Sequence, residues 1–170
     1  AYSMHWWGYA DIVATKDFVD LMAEDPDDIR CQLLDQVYNG QEIEQNIRYW
    51  LMKYPGTSYG VPSVENNYMV FRLSEVYLIA AEAGLKAGGE YRSPALSYLN
   101  DIVSRANPDK SVSDAEFTLD RVLKERRKEL VGEGHRYFDA LRNNQTIIRK
   151  GGWHLDGIPE EINWDYTKCI

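Results

Sequence analysis

The stretch from Glu125 to Arg142, ERRKELVGEGHRYFDALR, is dense in charge yet carries two glycines in its middle, Gly132 and Gly134. Helical spacing runs through it and its approach, so the sequence predicts one helix from near Thr118 to about Asn143. At roughly 100° of turn per residue, Leu119, Leu123, Leu130, Gly134, Tyr137 and Leu141 share one stripe. A glycine inside a helix costs about 1 kcal/mol relative to alanine, and a solvated charged helix gains nothing in return. Gly134 lies within the stripe, where a missing side chain lets another backbone come close. Gly132 points almost oppositely, with Glu125, Glu129 and Arg136. Both faces are therefore expected to be covered. Charges enclosed in this way must be paired, because an unpaired buried charge is strongly destabilising. Arg126, Arg127 and Arg136 are expected to meet carboxylates or backbone carbonyls, with Glu75 and Glu82 as candidate partners. The simpler alternative is a partly solvated helix with local pairs, Arg136 to Asp139 and Asp139 to Arg142.

A second strong signal lies upstream. RLSEVYLIAAEAGLKAGG, residues 72–89, has apolar or small residues on nearly every face and reads as a buried helix. Ala80, Ala81, Ala83, Gly84 and Ala87 would let a neighbouring backbone approach, and Gly88 and Gly89 stop the helix. Ser93 is expected to cap a following helix with Pro94 in its first turn. Leu96, Leu99, Val103 and Ala106 give that helix its inner stripe, and Asn107-Pro108 closes it. So short a connection predicts an antiparallel helical hairpin over 72–107.

The remainder is less regular. Thr15 reads as the cap of a helix KDFVDLM, with Asp17 near its positive end and Phe18, Leu21 and Met22 facing inward. Residues 1–14 are aromatic-rich and irregular. NGQ at 39–41 and YPGTSYGVPS at 54–63 are turn chemistry, and the tail from Lys150 is punctuated by glycine and proline. The expected class is all-α: mainly helical, a hairpin plus a long helix, with extensive loops and little strand.

A length of 170 residues fits about one domain. The formal net charge of -8 argues against a nucleic-acid partner. Cys31 and Cys169 show no metal spacing; one disulfide or two thiols both remain open. The opening AYSMHWWGYA lacks the features of a signal peptide, and no apolar run approaches the roughly 20 residues of a membrane-spanning helix. A water-soluble chain is expected.

The two charged and small-residue helices together resemble the C-terminal signature of the SusD/RagB family. That pattern joins an R-x-x-E helix ending in A-E-A to an E-R-R-x-E helix ending in E-G-x-R-(aromatic)-x-D-(aliphatic)-x-R. Arg72, Glu75, Glu82, Glu125, Arg126, Arg127, Glu129, Glu133, Gly134, Arg136, Asp139 and Arg142 fall into it. Asn100 and Arg105-Ala106 match the family's LN…RA helix. TKDFVDLM…DDIR resembles its T-x-E…D-x-R segment, and KYPG a later element. The resemblance covers roughly residues 15–150, and the chain looks like the C-terminal part of a much longer protein. It implies that 72–107 is a tetratricopeptide-like pair and that 118–143 is the signature helix. It further implies a lipid-anchored protein at the bacterial outer surface, sitting as a lid over a SusC-like, TonB-dependent transporter and binding glycans or peptides. The lipid anchor lies outside this sequence, and the family's usual C-terminal ending is only faintly present in GIPEEIN.

Sugar recognition needs flat apolar rings and hydrogen-bonding groups. Tyr2, His5, Trp6, Trp7 and Tyr9 supply both, with core packing as the plainer role. Trp50, Tyr54 and Tyr59 form a second candidate cluster. The signature charges, Gly132 and Gly134 are expected to be structural. His135 with Asp139 or Glu133 has a spacing that any charged helix offers, so neither metal nor cofactor is expected. No catalytic residues are assigned, because the acids follow helical charge patterns. The expected function is non-catalytic glycan binding for import; the alternatives are a peptide-binding RagB-like lid and a helical protein-interaction adaptor.

Overall fold

The computed structural model describes residues 14–36, 49–51, 53, 70–148 and 161–162, of which 35, 36 and 50 are described in backbone only. Among them are five helices: α1 (Lys16–Ala23), α2 (Leu73–Ala87), α3 (Arg92–Ala106), α4 (Leu119–Glu129) and α5 (His135–Arg142). Strand is confined to four short pieces: β1 (Leu34–Gln36), β2 (Tyr49–Leu51), β3 (Ile147–Ile148) and β4 (Glu161–Ile162). The chain divides into two compact units, one of residues 27–30 and 69–136, the other of 1–26, 31–68 and 137–170.

The first unit is built on the hairpin of α2 and α3. Gly84 of α2 meets Ala95 of α3, and Tyr77 meets Tyr98 with ring centroids 5.3 Å apart, a pairing that antiparallel helices produce. A methyl group on Gly84 would lie 2.6 Å from the Ala95 Cβ and 2.8 Å from the Tyr91 carbonyl oxygen, so the close approach rests on this glycine. Leu78, Ala81, Leu99, Ile102 and Val103 fill the space below, joined by Val122 of α4 and by Val112 and Phe117 of the intervening loop. Asn100 holds that loop in place. Its side-chain amide donates to the Val112 carbonyl at 3.0 Å and accepts from the Val112 N–H at 2.6 Å. Both backbone groups of the buried Val112 are thus satisfied, as burial demands.

Two local expectations change here. The second hairpin helix starts at Arg92, not after Ser93, because a 3-10 turn over Gly89–Tyr91 runs straight into it. The cap position falls on Tyr91, which makes no side-chain cap bond. Arg92 instead ties the helix start to the loop, donating to the Asp114 carboxylate at 2.7 Å and lying over the Phe117 ring. Second, α2 is buried on one face only. Ser74, Leu78, Ala81 and Glu82 are covered, whereas Leu73, Val76 and Ile79 on the opposite side are exposed. Of its small residues, Ala83 and Ala87 are exposed too.

The single helix predicted over 118–143 is two. Thr118 caps α4 by accepting from the Arg121 N–H, and the helix ends at Glu129. Gly132 and Gly134 follow with φ of 75° and 83°. This left-handed region, which side chains rarely tolerate, cannot continue a right-handed helix. Both glycines are exposed, and nothing lies within 4 Å of where a Gly134 Cβ would stand. The reading of both as sites of close packing is therefore overturned: they are conformational, and they break the helix. The shared stripe ends with them, since Leu130 is buried while Tyr137 is half exposed.

In the second unit, Thr15 caps α1, and Phe18, Leu21 and Met22 are buried as expected. β1 pairs antiparallel with β2, Leu34 opposite Leu51, and the Ala14 N–H donates to the Tyr49 carbonyl at 2.8 Å. The Cys31 thiol donates to the carbonyls of Met22 and Asp25, closing the end of α1. β3 pairs with β4, Ile147 opposite Ile162.

Candidate functional site

The most organised chemistry among the described residues is an ionic cluster inside the first unit. A bend before the 3-10 turn Ile29–Leu33 sets it up: Asp28 Oδ1 accepts from the backbone N–H and from Nε of Arg30, both at 2.9 Å, while Oδ2 accepts from Nη2 at 2.7 Å. This bidentate grip fixes the guanidinium plane. Its free edge reaches α4, where Nη1 lies 2.7 Å from Glu125 Oε1 and 3.2 Å from Glu129 Oε2. Arg121 donates to the other Glu125 oxygen at 2.7 Å.

Glu129 is the hub. Arg72, at the start of α2, donates to its Oε1 at 2.6 Å, and Arg105, near the end of α3, donates to its Oε2 at 2.6 Å. With Arg30, three arginines from three segments meet one carboxylate that is 3% exposed. Arg72 also bonds the Glu129 backbone carbonyl and the Glu133 carboxylate. Lys128 lies 3.9 Å from Asp28.

Burial alone would raise the pKa of Glu129. The Arg105 hydrogen bond and charge, the Ser74 hydroxyl and the Arg72 charge outweigh it, and the pKa falls below the ordinary value. Asp28 behaves likewise: burial opposes its charge, and bonds from Arg30 win. Burial also works against the Arg30 cation, but Asp28 and Glu125 push its pKa up. Asp28, Arg30 and Glu129 are thus held in their charged forms, each offsetting the desolvation of its neighbours.

The sequence pointed to Glu125 and Glu129 as enclosed charges, and both are. Arg126 is buried, Arg127 and Arg136 are half buried. Of the two carboxylates named as partners, Glu82 is buried and takes Lys86 at 2.7 Å. Glu75 faces His135 Nδ1 at 3.6 Å instead of an arginine, because the break after α4 brings His135 to it. Asp139 pairs locally with Arg142, at 2.7 Å. Asp28, Arg30, Arg72 and Arg105 were visible as motif letters, but not the grip of Asp28 on Arg30 or the meeting of the three arginines at Glu129. The D-x-R spacing after α1 is the signal that marks the first two.

The aromatic candidates Tyr2, His5, Trp6, Trp7 and Tyr9 lie outside the described residues, as do Tyr54 and Tyr59. Trp50 stands in β2 opposite Asp35 in backbone register. Two aromatic pairs are described: Tyr77 with Tyr98, and Tyr137 with Phe138, whose rings meet edge to face at 5.3 Å. Among the described residues, no group of three or more His, Cys, Asp or Glu side chains could hold a metal ion.

The helical hairpin and the ionised hub on α4 define a class. The model of the SusD family matches residues 34–169, and the chain belongs to that family. It is similar to a SusD superfamily protein from Bacteroides vulgatus, with 50% identity and a TM-score of 0.88 over 99% of this chain and 37% of the other. A SusD superfamily protein from Bacteroides thetaiotaomicron shares 43% identity, with a TM-score of 0.77 over 89% of this chain and 35% of the other. The SusD-like protein P25 of Formosa agariphila is 34% identical over 82 residues, which are 45% of this chain and 15% of that protein. This chain therefore spans well under half the length of these relatives.

Proposed function

We propose that this chain is the C-terminal part of a non-catalytic, glycan-binding SusD-type protein that passes its ligand to a SusC-like, TonB-dependent transporter. The carrying observation is the family match over residues 34–169 together with 50% identity to a SusD superfamily structure across nearly the whole chain. A candidate sugar-binding protein from Bacteroides vulgatus, 39% identical with a TM-score of 0.68, favours a glycan as the ligand. In this reading the ionic cluster is framework. Its charges are spent on one another, which suits a scaffold better than a sugar site. Ligand contact falls to the aromatic stretch of Tyr2, His5, Trp6, Trp7 and Tyr9. The protein is held at the outer membrane by a lipid anchor carried elsewhere; among the described residues no helix is long and apolar enough to cross a membrane.

Calorimetric titration of the full-length protein with a panel of neutral oligosaccharides tests this. Binding without turnover is expected, with a tenfold or greater loss of affinity in Trp6→Ala or Trp7→Ala. Binding to peptides alone would move the protein to the RagB-like branch. Recovery of a protein partner with neither ligand engaged would make it an adaptor.

A further inference from the structure

The joint between α4 and α5 is bridged twice by the start of α2, and the two bridges differ in kind. Arg72, immediately before α2, donates to the Glu129 carbonyl at 3.2 Å, to the Glu129 carboxylate at 2.6 Å and to the Glu133 carboxylate. An arginine keeps its charge at any ordinary pH, so this bridge is permanent. Glu75, in the first turn of α2, lies 3.6 Å from Nδ1 of His135, the first residue of α5. That separation is too long for a hydrogen bond, so a neutral imidazole gains almost nothing from it. A protonated one gains an ion pair in a partly enclosed place, since the His135 and Glu75 side chains are 29% and 16% exposed.

The pair stands by itself. Among the described residues, Glu75 has no other cation and His135 no other carboxylate within ion-pair reach. The surrounding charges are taken up elsewhere: Glu133 by Arg72, Glu129 by Arg30, Arg72 and Arg105, and Asp139 by Arg142. Arg136, next to His135, is engaged as well. The positive end of α5 repels a cation at His135, so any fastening in acid must come from Glu75. Between Glu129 and His135 the chain passes through Gly132 and Gly134, whose backbone freedom a second fastening would restrict.

We propose that Glu75 and His135 form a pH-dependent latch: protonation of the imidazole fastens the start of α5 to α2 and restrains the glycine joint, and deprotonation releases it. Arg72 holds the joint in both states, so the latch tunes its opening without undoing the fold. The fastening is made in mild acid and lost as pH rises through the imidazole range. It operates whatever ligand the protein takes.

The test is hydrogen exchange, read by mass spectrometry, on peptides spanning residues 131–136 of the full-length protein at pH 5.5 and pH 8, corrected for intrinsic exchange rates. Opening of the joint is expected to be about threefold rarer at pH 5.5, the scale of one partly exposed ion pair. The loop of residues 108–117, which contains no histidine, should show no such difference. His135→Gln removes the titrating group and should make the two pH values alike. Glu75→Gln should do the same by the other route, and the double variant should add nothing. Equal opening at both pH values in the unaltered protein would overturn the proposal. So would a difference that survives His135→Gln, which would assign it to another group. Should Glu75→Gln fail to fold, Glu75→Asp keeps the charge but draws it back by one methylene; a smaller difference is expected, and an undiminished one would count against Glu75.

Discussion

Two consecutive helices, α4 and α5, are cut from one charged stretch, and the first buries four charged side chains where the second buries Asp139. α4 buries Glu125, Arg126, Lys128 and Glu129 almost completely. α5 leaves Tyr137 and Phe138 exposed, and its Asp139 is paired with an arginine three residues on whose side chain is 40% exposed. Charge density does not distinguish them. In α4 the counter-charges converge from elsewhere in the chain: Glu129 draws arginines from the 27–30 segment, from the start of α2 and from α3. A carboxylate can leave water when several fixed donors replace its hydration.

The contrast can be broken most directly at its centre. Glu129→Ala takes the shared carboxylate from the buried Arg30, the partly buried Arg72 and the exposed Arg105, and should cost about 3–5 kcal/mol in denaturant unfolding. Arg142→Ala in α5 should cost under about 1 kcal/mol. Comparable losses would mean that convergence is not what counts.

Acid should act on the same helix. Glu129 and Asp28 both have folded pKa values below their ordinary ones, so their stabilisation is complete above the ordinary carboxylate range. It is lost as pH falls below about 4.5 toward the folded values. Each carboxylate contributes a slope of up to about 1.4 kcal/mol per pH unit in that window. Thermal melts from pH 7 to pH 3 should show the decline, with a flatter profile in Glu129→Gln.

Glycine substitutions sharpen the comparison further. Gly84→Ala forces a methyl into Ala95 and the Tyr91 carbonyl and should cost about 2 kcal/mol. Gly134→Ala, in the joint between α4 and α5, meets open space and pays only for its backbone angle, about 1 kcal/mol. Urea titrations of the two variants side by side would show whether the joint is conformational, as its angles indicate, or packed.

The hairpin was legible because its signals agree. Small residues at 81 and 84, the stop at Gly88 and the stripe through Leu99, Val103 and Ala106 all indicate the same pair. Enclosure of Glu125 and Glu129 was legible too, though from an argument about glycine that fails. A glycine within a helical pattern has two physical meanings, close approach or positive φ, and periodicity does not separate them. Gly84 has the first, Gly132 and Gly134 the second. The all-round apolar character of α2 says that both faces prefer burial, not that the same chain buries both. The partners of Glu129 were hidden for a different reason: local pattern carries no information about which distant arginine will arrive.

Arg30 meets Glu129 across 99 positions of sequence. Such a bond can close only after α4 has formed and the intervening chain has collapsed, since loop closure must be met before the contact returns anything. The cluster is therefore expected to form late in folding, largely after the transition state. Weakening it through Arg30→Lys should leave the refolding rate nearly unchanged and hasten unfolding, so the clasp acts chiefly as a brake on coming apart.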